Sequence, residues 1–294
     1  MASSLPRILC FGEVLWDCVP RGLFLGGAPA NVSYHLTRLG CKASLVSAVG
    51  NDFLGEEILR RVAGWGIDTR FISRSPEKQT GVVLVDLSDP HKPNYDIVRD
   101  VAWDYIAGSE ELDQAAQSAD ALVFGTLALR EEHNRGLLEH LLSQAPGMKV
   151  FDVNLRPPFV DREQALALGR RSDLIKLNED ELSSLIPGSE SVSLAKRVQQ
   201  LADLTGCEKL CVTCGAKGAG LLLDGVWHWV DARSVDVKDS IGAGDAFLAA
   251  LIAGLIDGSH SPDQIVADAA RLAEFVASCD GATPDYVGLH PRFD

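Results

Sequence analysis

Along most of the chain, short apolar runs alternate with stretches whose apolar residues recur at helical spacing. RILCFGE and KASLVSAVG read as strands. Between them, PANVSYHLTRLG puts Val32, Leu36 and Leu39 on one helical face, with Pro29 near the first turn, where a helix accepts proline. Further strands are expected at ALVFG, KVFDVN, DLIKLN and KLCVTCG, separated by helical segments such as EEHNRGLLEHLLSQA and SVSLAKRVQQLADLTG. This alternation predicts an α/β fold, a mostly parallel central sheet with helices on both faces. Active sites in such folds gather at the carboxyl ends of the strands.

Two segments break the rhythm. Residues 13–25 and 80–106 have extended character and turn residues but no crossover helix. They are expected to form a small extra sheet, a β lid over the strand ends. No internal repeat or long linker interrupts the chain, so residues 1–294 are expected to make one domain carrying that lid.

Composition narrows the partners. A formal net charge of −14 argues against a nucleic-acid backbone or an anionic membrane surface. No apolar run approaches the roughly 18 residues of a membrane-spanning helix. The first residues, MASSLPRILCFGE, lack the pattern of a secretory signal, and seven scattered cysteines suit a reducing compartment, so a cytoplasmic location is expected. Cys207, Cys211 and Cys214 have a cluster-binding spacing, but in a strand Cys211 and Cys214 point to opposite faces. They are expected to be core residues.

The stretch densest in chemistry is VKDSIGAGDAF. After Gly244, the pattern DAFLAALIAGLI places Phe247, Leu248, Leu251, Ile252 and Leu255 on a broad apolar helical face. The Gly242-Ala243-Gly244 turn therefore falls at a helix N-terminus, where unpaired amides and the helix dipole attract an anion. Small residues let a phosphate approach those amides closely. Alone, Asp245 reads equally well as a favourable partner of the dipole.

DSIGAGDAF also resembles the C-terminal signature of the ribokinase-like, or PfkB, family of carbohydrate kinases, with Ser240 in place of the usual threonine. GGAPANVSYHLTRLG resembles the family's N-terminal signature. KLNEDEL matches its Asn-x-x-Glu motif at Asn178 and Glu181, and VTCGAKGAG resembles its nucleotide loop at Thr213, Gly215 and Gly218. No Gly-Lys-Ser/Thr loop occurs, so phosphate binding must use a different device. The resemblance covers nearly the whole chain and implies that a sugar hydroxyl attacks the γ-phosphate of ATP.

The same resemblance implies roles for individual residues. Asp245 is the base, and the amides of Ile241, Gly242, Ala243 and Gly244 form an anion hole. Magnesium arrives with ATP, oriented through waters by Asn178 and Glu181, although Asn178 alone would read as a helix cap. Asp17, Gly26, Gly27 and Asn31 make the sugar site. Arg99, Trp103 and Asp104 close over it from the second lid segment, with Trp103 equally suited to packing. FDVNLRPPF resembles a fructokinase-type stretch that places Asn154 and Arg156 near the transferred phosphate, Arg156 as the neutralising cation. ADAARLAEFVASCDGATPDY resembles the adenine-side helix and its loop, with Ala270 where an asparagine is common. Carbonyls near Asp239, Ile241, Val276, Cys279 and Gly281 are implied to bind potassium.

Ala28-Pro29 and the Asn-Leu-Arg-Pro-Pro stretch point to the fructokinase-like branch, hence to fructose. Kinases for 2-keto-3-deoxygluconate, ribose or a nucleoside remain open at this stage, as does a homodimer. In another class stands a sugar or nucleotide sensor without turnover, which a missing base would signal; Asp245 is present. A dinucleotide oxidoreductase fits less well, because FGEVLWD lacks the glycine turn that a pyrophosphate needs.

Overall fold

The computed structural model describes residues 5–19, 22–86, 94–188 and 191–286. Its strands are β1 (Arg7–Phe11), β2 (Leu15–Val19), β3 (Gly22–Gly26), β4 (Lys42–Gly50), β5 (Ile72–Ser75), β6 (Gly81–Asp86), β7 (Asn94–Ile97), β8 (Ala121–Gly125), β9 (Met148–Asp152), β10 (Leu174–Asn178), β11 (Leu210–Thr213), β12 (Ala219–Leu223) and β13 (Val226–Val230). The α-helices are α1 (Ala28–Arg38), α2 (Phe53–Gly64), α3 (Glu110–Gln117), α4 (Glu132–Gln144), α5 (Arg162–Gly169), α6 (Glu179–Leu185), α7 (Leu194–Thr205), α8 (Ala243–Asp257) and α9 (Pro262–Ala277).

The large sheet runs β13-β12-β11-β10-β9-β8-β1-β4-β5. Pairing is parallel from β11 to β5, and β12 and β13 add an antiparallel hairpin at one edge. From β1 the chain moves to one side through β4 and β5, then returns to place β8 on the other side. Such a reversal beside β1 opens a crevice at the carboxyl ends of the strands, where ligands of open α/β sheets bind.

The strands read as apolar runs because both sheet faces are covered. Residues such as Leu9, Phe11, Phe124 and Phe151 face one core with Leu138, Leu166 and Leu201 of α4, α5 and α7. Ile8, Cys10 and Leu45 face the other with α1, α8 and α9. Helix α8 lies within that second core, which explains its continuous apolar run: Phe247, Leu248, Leu251 and Ile252 are buried. Cys211 belongs to one core and Cys207 and Cys214 to the other, all as free thiols.

The two irregular segments pair as a second sheet, ordered β3-β2-β6-β7. Within those segments, residues 20, 21 and 87–93 lie outside the described residues. Among the described residues, no helix is long and apolar enough to cross a membrane.

At the base of this sheet the structure corrects one expectation. Asp104 and Trp103 do not face a substrate. The Arg130 Nε and Nη2 atoms donate to the two Asp104 carboxylate oxygens, each at 2.7 Å, and the Val101 amide adds a third bond. Both side chains are fully buried, with the guanidinium 4.0 Å from the centre of the Trp103 ring. A buried carboxylate needs a partner of opposite charge, and this pair is sealed from solvent, so it presents no oxygen to a ligand. The Trp103 indole lies against Gly81, where any Cβ would strike it. Arg99 instead is exposed and pairs with Glu131 at 3.0 Å.

Asp104→Asn should therefore act on stability. Leaving Arg130 buried without its counter-charge is expected to cost about 3–5 kcal/mol, read as a lowered thermal midpoint, while the sugar KM of the folded protein stays nearly unchanged. A tenfold rise in KM at unchanged stability would return Asp104 to the substrate site.

Candidate active site

The site begins with the backbone at the start of α8. Gly242 caps the helix with φ 79°, and a Cβ there would lie 2.5 Å and 2.6 Å from Cβ and Cα of Ala282. Only glycine fits. Gly244 has ordinary helical backbone, and a Cβ on it would meet only the Lys176 Nζ, at 3.2 Å. No side chain caps the helix, and the Ala243 amide makes just a long 3.4 Å contact to the Ser240 carbonyl. The first turn thus keeps amides for an anion.

Asp245 follows in that turn. Its Oδ2 accepts a 2.8 Å hydrogen bond from Nδ2 of Asn31 on α1. Asn31 is buried, and its Oδ1 has no protein partner. A buried amide oxygen left bare this way costs free energy unless a ligand supplies a donor. Helix α1 is itself fixed at its start, because Gly27, with φ 107°, brings its Cα within reach of the Glu13 carbonyl, where a Cβ would lie 2.5 Å away.

The same helix holds Ala282 in place. The Ala282 carbonyl lies 2.9 Å from His35 Nε2, and the Tyr286 hydroxyl lies 2.7 Å from His35 Nδ1. A carbonyl can only accept, so Nε2 carries the proton and Nδ1 accepts from Tyr286. Burial lowers the His35 pKa to about 4, which keeps the ring neutral in this role. Tyr34 adds a 2.6 Å bond to the Pro284 carbonyl.

Beneath the turn lies a row of charges. Parallel pairing sets Asp152 of β9 beside Lys176 of β10, both on the face toward α8, and Lys176 Nζ donates to Asp152 Oδ1 at 3.1 Å. Glu181 of α6 braces the loop after β9: the Leu155 amide donates to its Oε1 and the Asn178 amide to its Oε2, each at 2.8 Å. Glu13 lies across the crevice with Oε1 3.3 Å from the Ala28 amide. Burial raises the Asp245 pKa to about 6, with Asp152 adding to the rise and Lys176, Asn31 and Arg156 opposing it. Burial also raises Glu13, to about 7.

The remaining expected residues distribute around this centre. Asp17 of β2 is partly buried with its carboxylate over Gly26, and burial raises its pKa to about 6. Asn178 does cap α6, accepting from the Glu181 amide, and its register partner on β11 is Thr213. Gly215 has φ 53° in open space, whereas Gly218 packs on the β13 backbone at Val230. The Asn154 carbonyl accepts from the Thr126 hydroxyl at 2.9 Å, and Arg156 is exposed but close enough to act on Asp245 and Glu13. The Lys238 and Asp239 amides both donate to the Ala277 carbonyl, so segment 238–241 runs beside the end of α9 that carries Val276, Cys279 and Gly281.

Sequence reasoning passed over Glu13, Asp152 and Lys176. All three are at most 7% exposed. The available signal was a charged residue at the end of a largely apolar strand in KVFD, in the middle of one in LIKLN, and just past one in RILCFGE.

A helix start with no side-chain cap, beside a raised carboxylate at the switch point of a parallel sheet, suits an enzyme that moves a phosphoryl group onto a hydroxyl. The chain matches the pfkB family carbohydrate kinase description over residues 7–287 and belongs to that family. It is 32% identical to an uncharacterized sugar kinase of Pyrococcus horikoshii over 235 residues, covering 79% of this chain and 73% of that one. A structure of that kinase in complex with ATP superposes with a TM-score of 0.78, covering 95% and 94% of the two chains. It is also 30% identical to an Escherichia coli fructokinase over 271 residues, covering 88% and 87%. A Vibrio cholerae O395 fructokinase, solved in a form with fructose, ADP and potassium ion bound, shares the fold at 24% identity, with a TM-score of 0.80 and 96% of both chains covered. The chain is thus a sugar kinase of the fructokinase-like branch.

The two glycines of the turn should respond differently to alanine. Gly242→Ala meets both the positive φ, worth about 1–2 kcal/mol, and the Ala282 backbone, so thermal stability and nucleotide binding should fall together. Gly244→Ala displaces only the tip of Lys176, so its thermal midpoint should stay near wild type. Equal destabilisation by both would mean that the Ala282 contact does not fix the turn.

Proposed function

We propose that this protein transfers the γ-phosphate of ATP to a hydroxyl of a small sugar, fructose before others, with Asp245 as the base. The observation that carries this reading is Asp245 itself, held by Asn31 beside the open amides of the Gly242–Gly244 turn. The sugar oxygen forms a bond to the γ-phosphorus while the bond from that phosphorus to the bridging oxygen of ADP breaks. The hydroxyl proton passes to Asp245. Phosphoryl transfer needs placement and charge stabilisation more than covalent chemistry. The turn amides would stabilise the transferred group, and Asp17, Gly26, Gly27 and Asn31 would bind the sugar under the small sheet acting as a lid. Fructose is favoured by the fructokinase-like relatives and by Ala28-Pro29 with Asn154 and Arg156.

Thr213, Gly215, Gly218 and Asn178 line the neighbouring strand ends β10 and β11, and belong to the nucleotide in this reading. Among the described residues, no group of three or more His, Cys, Asp or Glu could hold a metal ion by itself. Glu181 already accepts two amides, so magnesium fits here as the companion of ATP, reaching Glu181 through water. Bound with ATP, it would neutralise phosphate charge. Potassium fits the loop pair 239–241 and 276–281, which the Ala277 carbonyl ties together.

Because Asp245 must be ionised to accept the proton and its pKa is raised to about 6, kcat/KM should fall as pH drops through that value. Asp245→Asn removes proton acceptance at constant size, so turnover should fall by about 10²–10⁴-fold while sugar and ATP still bind. Turnover within threefold of wild type in a folded Asp245→Asn protein sinks the assignment.

Substrate choice is read from coupled ADP release over fructose, ribose, 2-keto-3-deoxygluconate, adenosine and several hexoses. Fructose should give the highest kcat/KM. A preference for another member changes the substrate and leaves the kinase standing; no stimulation by any of them favours the sensor reading.

A further inference from the structure

We propose that Lys176 is the buried cation of this site: fixed by Asp152, its ammonium lies under the Gly242–Gly244 turn and faces the transferred phosphoryl group. This rests on the kinase reading above. Lys176 is the middle residue of β10 and stands in a row of register partners, Gly125, Asp152, Lys176 and Cys211, from four adjacent strands. A lysine is unusual in so apolar a strand, and only 7% of it is exposed. Its stem runs among core residues, and its Nζ ends 3.2 Å from where a Gly244 Cβ would sit. The missing side chain at 244 is what leaves room for the ammonium directly below the amides.

A structural ion pair would need one carboxylate for one lysine. Here three face Lys176 from three elements: Asp152 of β9, Asp245 of α8 and Glu181 of α6. Arg156, after β9, and Glu13, after β1, complete the charges around Asp245. Burial opposes the charge of Lys176, but the three carboxylates outweigh it and raise its pKa, so it keeps its proton throughout the reaction. In the resting site the ammonium offsets Asp245. As the phosphorus–oxygen bond to the sugar forms and the one to ADP breaks, it offsets the charge on the moving group. Arg156, exposed and bonded to its neighbour's carbonyl at 3.0 Å, serves at the rim.

The test uses Lys176→Met, Asp152→Asn and the double variant, each with thermal unfolding, ADP release, and binding of ADP and the non-hydrolysable ATP analogue AMP-PNP. Lys176→Met should lose 10²-fold or more in kcat, by analogy with removal of one charge-stabilising donor. Its preference for AMP-PNP over ADP should shrink, and the acid limb of kcat/KM should move to higher pH. The double variant, with both charges gone, should regain thermal stability without regaining kcat or the AMP-PNP preference. If stability and kcat return together, or if Lys176→Met keeps wild-type AMP-PNP preference, Lys176 is only a structural partner of Asp152 and the proposal falls. If wild-type protein shows neither turnover nor nucleotide binding, the kinase reading fails first and this proposal with it.

Discussion

Where α8 begins, Gly242 rests on the backbone of Ala282, and a side chain at 242 would push the two apart. That seat is held from below by α1, through His35 to Ala282 and Tyr34 to Pro284. The same helix reaches the other side of the turn, where Asn31 bonds Asp245. Residues 31, 34 and 35 are spaced so that they share one helical face. A single helix surface therefore sets both where the anion-binding amides point and how the carboxylate beside them is turned. Disturbing α1 would shift the Asp245 carboxylate relative to those amides, and in the proposed reaction such a shift is costly because catalysis there rests on placement.

The charges around the turn look contradictory at first. Helix amides invite an anion, yet Glu13, Asp152, Glu181 and Asp245 stand close by and repel one. Burial resolves part of this by raising Asp245 and Glu13 toward neutrality. Lys176 and Arg156 resolve another part. The surplus that remains is negative, which under the proposed function would disfavour a bare triphosphate and suit one that brings its own divalent cation. A dedicated metal cage is then unnecessary, in keeping with a carboxylate, Glu181, spent on holding backbone amides.

The sequence made the sheet, the covering helices and the small second sheet legible, because each has a strong apolar period or a clear lack of one. Short contiguous motifs singled out Asp245 and Asn31, which the structure brings into contact, and Asn178, which caps α6. Asp104 was misread because a carboxylate in an extended segment looks the same whether it faces solvent or a buried arginine; its partner, Arg130, lies 26 residues away in the chain. Lys176 and Asp152 were passed over for the converse reason. Each is an isolated charge in a largely apolar strand, and only the parallel register of β9 and β10 brings the two together. Of the two glycines in the turn, Gly242 has the positive φ and Gly244 does not. Spacing alone cannot tell which glycine of a turn carries the strain.

Register also decides what the small sheet can do. Pairing of Asp17 with Phe24 puts Asp17, Leu15, Phe24 and Gly26 on one face, with Trp16, Cys18, Leu23 and Leu25 on the other. A slip of one residue would exchange the faces, exposing Trp16, which is buried and donates its indole N–H to the Leu54 carbonyl at 3.1 Å. Burial of Trp16 thus holds the register that turns Asp17 toward Gly26, the last residue of β3. Gly27 follows, then α1 and Asn31. The carboxylate on the small sheet and the Asn31 amide beside Asp245 are separated by one tight turn whose glycines leave little slack, so the backbone that carries Asp17 is held close to the helix that positions Asp245.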